Sequence, residues 1–247
     1  MRRVHAGPLA GLAGVLALLG TLEAAVGLGG LGWGLGVACG TVGCGFLAGA
    51  LSRHRATRLG PANAVTLVRF VLGCGVAALT ADAFARPVPV TLLVALSAVA
   101  LSTDRVDGWV ARRRHVASAL GARFDMEVDA FLILVLSVYV AHTTAWWVLA
   151  IGAWRYVLVA AQVMLPRLRG SVPPRYWCKV VAVLQGVVLV VAAAGVLPAE
   201  VSQTALAVAL LLLTESFGRE IGQRWRAGKV GRQESAGVDL SGAMSHG

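Results

Sequence analysis

Eight apolar runs, each roughly as long as a bilayer is thick, follow one another down this chain with short polar turns between them. They fall at about 8–28, 31–51, 64–83, 88–106, 117–141, 145–165, 177–197 and 200–217. About 20 consecutive apolar residues suffice for a helix to cross the hydrocarbon core of a membrane. In lipid every backbone N–H and C=O must find its partner inside the protein, so runs of this length are predicted to be helices. Composition agrees, with 57% hydrophobic and 14% charged residues, where an ordinary soluble domain carries about 25% charged. The predicted fold is all-α, a polytopic membrane bundle. The net charge of +10 would suggest nucleic acid in a soluble domain. Here the basic residues flank membrane helices, and no nucleic-acid partner is expected.

The turns alternate in charge. Arg2 and Arg3, then Arg53, Arg55 and Arg58, then Arg112 to Arg114, then Arg167, Arg169 and Arg175, then Arg219, Arg224, Arg226, Lys229 and Arg232 fall at one end of the predicted spans. Only Arg86 falls at the other. Cytoplasmic loops carry the excess of Lys and Arg, so both termini and the basic turns are predicted to be cytoplasmic, in a cell membrane. Trp146 and Trp147 then sit at the outer interface, and Trp109, Trp177 and Trp225 near the inner one. The first run is read as an uncleaved helix, because a second apolar run follows at once and no small-x-small cleavage site stands out. The last residues are polar and Gly/Ser-rich, a composition that predicts disorder. The four cysteines, Cys39, Cys44, Cys74 and Cys178, form no CxxC pair and read as small packing residues.

Charge concentrates in one place, "DRVDGWVARRRHVASALGARFDMEVD", residues 104–129. Asp104 and Asp107 are three apart at the end of the fourth span, and Asp125 and Asp129 are four apart near the start of the fifth. Such spacings put side chains on one helical face. The short connection predicts antiparallel neighbours whose acidic faces meet. Four like charges so placed require protonation or a bound cation. Oxygen ligands in this number suit a hard ion such as Mg²⁺ or Mn²⁺, and two bridged ions would clamp a displacement at phosphorus. Gly108 leaves room for a ligand against the helix, and Arg112 can present its fork of donors to a phosphate. Glu127 lies two residues from each of its acidic neighbours, off their face, and is not placed in this set. Asp82 is predicted to lie solvated in the outer turn. Glu23, inside the first span, is predicted to sit near the outer interface or to face another helix.

The same stretch resembles the signature of the CDP-alcohol phosphotransferases, D-x2-D-G-x2-A-R-x8-G-x3-D-x3-D. Asp104, Asp107, Gly108, Ala111, Arg112, Gly121, Asp125 and Asp129 fill every fixed position. "PANAVTLVR" is similar to the family's P-N-x-L-T-x-x-R, with Asn63, Thr66 and Arg69, although the Pro–Asn step is one residue longer. "CKVVAVLQ" resembles G-K-x-x-T-x-x-Q, keeping Lys179 and Gln185 but carrying Cys178 and Ala182 in place of Gly and Thr. Arg155 falls where related synthases have Arg followed by Glu, and here Tyr156 follows.

The resemblance covers about residues 60–217. It implies a six-helix catalytic core at 53–217, preceded by an extra transmembrane hairpin at 1–52 and followed by a cytoplasmic tail at 218–247. It further implies a CDP-alcohol substrate, commonly CDP-diacylglycerol, whose phosphorus is attacked by an acceptor hydroxyl with loss of CMP. Asp104, Asp107, Asp125 and Asp129 would bind two Mg²⁺ or Mn²⁺ ions, with Asp129 also the base. Gly108, Ala111, Arg112, Asn63, Thr66 and Gly121 would hold the CDP moiety. Arg155, Lys179, Arg123 and Arg175 are candidates for the acceptor, and snorkelling beside membrane lipids accounts for the same residues equally well. The acceptor segments look closest to phosphatidylglycerophosphate synthases, which favours glycerol 3-phosphate. An inositol phosphate, a second phospholipid, serine or another polyol stays open. Relatives are homodimers, which implies a homodimer here. Two other classes of function compete. An ion or proton-coupled transporter also uses membrane carboxylates but needs no Gly and Arg at these offsets. A non-catalytic membrane partner would not need the complete aspartate set.

Overall fold

The structure, a computed structural model, describes residues 6–53, 61–114, 119–164, 176–219 and 222; residues 6, 53, 61–63, 104–114, 119, 120, 162, 163 and 176–179 are described by backbone alone. Among these residues there are eight long helices and no strand: α1 Ala6–Val26, α2 Gly30–Arg53, α3 Pro61–Ala83, α4 Val90–Arg114, α5 Ala119–Thr143, α6 Leu149–Met164, α7 Tyr176–Ala194 and α8 Ala199–Arg219. Each coincides with one of the apolar runs. The tail predicted beyond 217 lies, apart from the end of α8 and residue 222, outside the described residues.

Local chemistry sets the helix ends. Gly27, at φ 65°, and Gly195, at φ 62°, follow the last residues of α1 and α7. This left-handed cap suits glycine, which has no Cβ to clash. Pro61 opens α3, where the missing N–H costs nothing. Between α5 and α6 the chain turns at Thr144 and makes one 3-10 turn, Trp146–Val148, before α6 begins. Hydroxyls inside the apolar helices bond their own backbone: Ser97 donates to the Leu93 carbonyl at 2.7 Å and Ser137 to that of Ile133 at 2.8 Å. Such back-bonding leaves neither of these buried hydroxyls bare in the apolar interior.

α3 is the hub. It packs against α1, α2, α4 and α5, while α7 packs against α4 and α5, and α6 against α5. Cys74, Val76, Ala77, Ala78 and Leu79 on α3 are accordingly fully buried. Trp154 of α6 meets Phe217 of α8 edge-on, with ring centroids 6.4 Å apart. Large apolar side chains are left outside: Phe46 is 82% exposed and Leu211 68%. That surface belongs in hydrocarbon. Four helical stretches, Gly7–Val26, Gly30–Ser52, Ala64–Ala83 and Ala199–Arg219, are long and apolar enough to cross a membrane. The molecule is a multi-pass helical membrane bundle.

Asp82 departs from its predicted place. It is buried, not solvated, with 1% exposure. Its carboxylate accepts the backbone N–H of Gly29 at 2.6 Å and of Gly32 at 2.9 Å, and pairs with Arg86. The open N–H groups at the start of α2 draw the carboxylate inward. Glu23 faces another helix, as predicted, and accepts the indole N–H of Trp33 on α2.

Candidate active site

The site is built where α3 meets α5. Both helices start at the same end of the bundle, so their residues can be compared in depth. Arg69 stands about 12 Å along α3, between Asp125 at about 9 Å and Asp129 at about 15 Å along α5, at 1.5 Å per residue. Its guanidinium reaches both. Nη1 donates to Asp125 Oδ1 at 2.7 Å, and Nη2 pairs with Asp129 Oδ1. Arg69 is 1% exposed, whereas the two aspartate side chains are 35% and 37% exposed. The positive charge is thus sealed inside the bundle, and the negative pair faces partly outward from it.

Aromatic packing fixes this contact. Phe70, next to Arg69, lies 6.3 Å from the Phe124 ring and 6.1 Å from the Phe131 ring by centroids. Phe124 and Phe131 bracket Asp125 and Asp129 on α5. The same Phe70 ring fills the space over Gly43 of α2, where a Cβ would lie 2.2 Å from Cζ. The first hairpin therefore backs the α3 segment that carries Arg69. Thr66, one turn before Arg69 on the same face, is also buried.

Other expected residues fall as follows. Asp104, Asp107, Gly108, Ala111 and Arg112 lie on the unbroken helix α4, Asn63 in the first turn of α3 and Lys179 in the first turn of α7. Their side chains are outside the described residues, as is all of Arg175. Gly121 is half-buried near the start of α5, and Arg123 is exposed on it. Among the described residues α4 and α5 both pack on α3 and α7. Glu127 points away from the aspartate pair and accepts from Arg155 of α6 at 2.7 Å. Arg155 Nε is buried with no hydrogen-bond partner among the described residues, and so is Nε2 of Gln185, a residue only 3% exposed on α7.

Among the described residues no group of three or more His, Cys, Asp or Glu side chains converges. The two aspartates described here do fit a cation. They are drawn to one point by a positive group, and their hard oxygen donors suit a divalent ion.

Residues 60–214 match the family described as CDP-alcohol phosphatidyltransferase. The chain belongs to the CDP-alcohol phosphatidyltransferase family. No curated protein and no solved structure matches it. As a CDP-alcohol phosphatidyltransferase it is an enzyme, a transferase that moves a phosphatidyl group from a CDP-alcohol donor to an alcohol acceptor. Divalent metal ions belong to this family's chemistry. The matched segment contains α3, α4, α5, α6 and α7 whole, and with them the Arg69–Asp125–Asp129 cluster. Sequence reasoning found the aspartates of this CDP-alcohol phosphatidyltransferase but gave Arg69 no role. The signal was present: one arginine within an apolar span needs a partner, and the acidic i, i+4 pair stands at matching depth.

Proposed function

We propose that the enzyme transfers the phosphatidyl group of CDP-diacylglycerol to glycerol 3-phosphate, releasing CMP at the cytoplasmic face of the membrane. The observation that carries this reading is the convergence of Asp125 and Asp129 on a single buried positive charge within the family segment. Two Mg²⁺ or Mn²⁺ ions held by Asp104, Asp107, Asp125 and Asp129 would neutralise charge on the pyrophosphate and on departing CMP. Asp129 takes the proton of the acceptor hydroxyl as its oxygen attacks phosphorus. The new P–O ester bond forms, the phosphoanhydride breaks, and its electron pair leaves with CMP. A phosphate monoester has a second pKa of about 6, so this leaving group needs no added proton.

Gly108 and Ala111 are small enough for the cytidine to lie against α4, and Arg112 reaches the pyrophosphate. Asn63, Thr66 and Gly121 close the nucleotide side; the burial of Thr66 one turn from Arg69 supports its place there. For the acceptor phosphate, Arg155, Lys179, Arg123 and Arg175 are the cations at hand. The buried, unmatched Nε of Arg155 supports its inclusion. Lipid headgroups occupy the remaining basic rim, and the enzyme works as a homodimer. The division into a hairpin at 1–52, a catalytic core at 53–217 and a tail at 218–247 is supported by a family match that starts at 60.

The test is CMP release from CDP-diacylglycerol by purified protein with Mg²⁺ or Mn²⁺ and glycerol 3-phosphate, with the lipid product identified by mass. Asp129→Asn is expected to lower the rate by at least about a hundredfold, the usual range for loss of a positioned base. Full activity in that variant removes Asp129 from the role of base. A product without the glycerol phosphate headgroup, obtained with another acceptor, replaces the acceptor named here.

A further inference from the structure

Arg69 is 1% exposed, as deeply buried as Asp82 at the other end of α3, and nothing in the transfer chemistry above uses it. A single cation within an apolar span is costly unless paired. It is retained here against two carboxylates one turn apart on a different helix. Lysine would not serve as well. A point charge on a flexible stem meets one carboxylate, whereas the planar guanidinium presents a rigid fork to both at once. The fork is anchored from behind, because Phe70 is locked between α2, Phe124 and Phe131.

We infer that Arg69 is a positioning residue, the built-in counter-ion of the acidic centre: it holds Asp125 and Asp129 at working separation and offsets their repulsion before a divalent cation arrives. The inference rests on reading those aspartates as cation ligands. A carboxylate has two oxygens and about four acceptor sites, so one contact to the guanidinium does not exhaust it. The guanidinium and an arriving cation act on the same charge. Without Arg69, the cation-free protein carries uncompensated repulsion between α5 carboxylates, and a divalent ion removes more of it on binding. A ligand that binds only the folded state stabilises it in proportion to the logarithm of its affinity. The variant lacking the guanidinium should therefore lean on the cation far more than the parent does.

The experiment measures thermal unfolding of the detergent-purified full chain in chelator, and again across a Mn²⁺ titration at constant ionic strength. Mn²⁺ binding is followed separately by electron paramagnetic resonance. Arg69→Gln is expected to unfold well below the parent in chelator and to recover most of the gap with Mn²⁺. Its Mn²⁺-induced shift should be at least about twice the parental one, following the affinity gain. Arg69→Lys should fall between, and it carries the test if Arg69→Gln cannot be isolated. Arg69→Gln combined with Asp125→Asn removes charge and partner together, and should restore cation-free stability toward the parent. An equal deficit with and without Mn²⁺ in Arg69→Gln and Arg69→Lys makes Arg69 an ordinary structural ion and overturns the inference alone. If the parent itself neither binds Mn²⁺ nor shifts, the reading of the aspartates as cation ligands falls, and this inference with it.

Discussion

Asp82 shows what one side chain can do at a distance in sequence. It sits at the far end of α3 from Arg69, and it closes the first turn of α2 by accepting two backbone N–H groups. Alanine there would leave those donors and Arg86 without their partner. Loss of such a cap costs about 1–2 kcal/mol, and buried donors left bare add about 1–3. Asp82→Ala is therefore expected to lower the unfolding temperature and to open the α1–α2 hairpin to protease, measured by thermal scan and by timed digestion. An unchanged digestion pattern would remove the capping role. Neither this cap nor the role of Arg69 was read from the sequence, though for different reasons. Hydropathy marks Asp82 as the end of a span, and nothing local reports that a helix start 50 residues earlier waits for it. Arg69 could be found by pairing charges in depth. Asp125 and Asp129 were legible because a helical period alone puts them on one face.

At the scale of helices, close packing depends on a few positions without side chains. A Cβ on Gly152 of α6 would lie 2.6 Å from the Leu134 backbone and 2.9 Å from Ser137 Oγ on α5. Gly152→Val is expected to force the two helices apart, at about 1–3 kcal/mol for overpacking, and to weaken the Glu127–Arg155 pair one turn away. Gly20→Ala on α1 meets nothing within 4 Å and serves as the control. It should be neutral or gain about 0.5–1 kcal/mol from helix propensity. Thermal unfolding of both variants gives the comparison, and equal losses would rule out a steric origin. The existence and order of the helices were legible from run length, since each run needs the same thickness of hydrocarbon. Packing partners were legible only in part. Short loops predict that sequence neighbours touch, as α1 with α2, α2 with α3, α3 with α4 and α5 with α6 do, but they do not predict that α3 also reaches α1 and α5. Which helix becomes the hub depends on small and polar residues on α3 that hydropathy averages away.

For the whole molecule, the buried charges mark the axis. Arg69 with its aspartates lies toward one end of α3 and Asp82 with Arg86 at the other, with an apolar band between them. In the sequence the basic turns flank the spans on the Arg69 side, and the positive-inside rule predicts that this end faces the cytoplasm. In a cysteine-free background, Ala85→Cys is expected to react with an impermeant maleimide in intact cells. Ser241→Cys should react only after permeabilisation. The reverse pattern would turn the acidic centre outward, away from a cytoplasmic nucleotide. The Asp82 cap also bears on how the chain is made. The residue that completes the turn between α1 and α2 arrives only with the end of α3. The hairpin's amides thus find this partner only when a third segment has joined them, which ties the first two helices to the third during assembly.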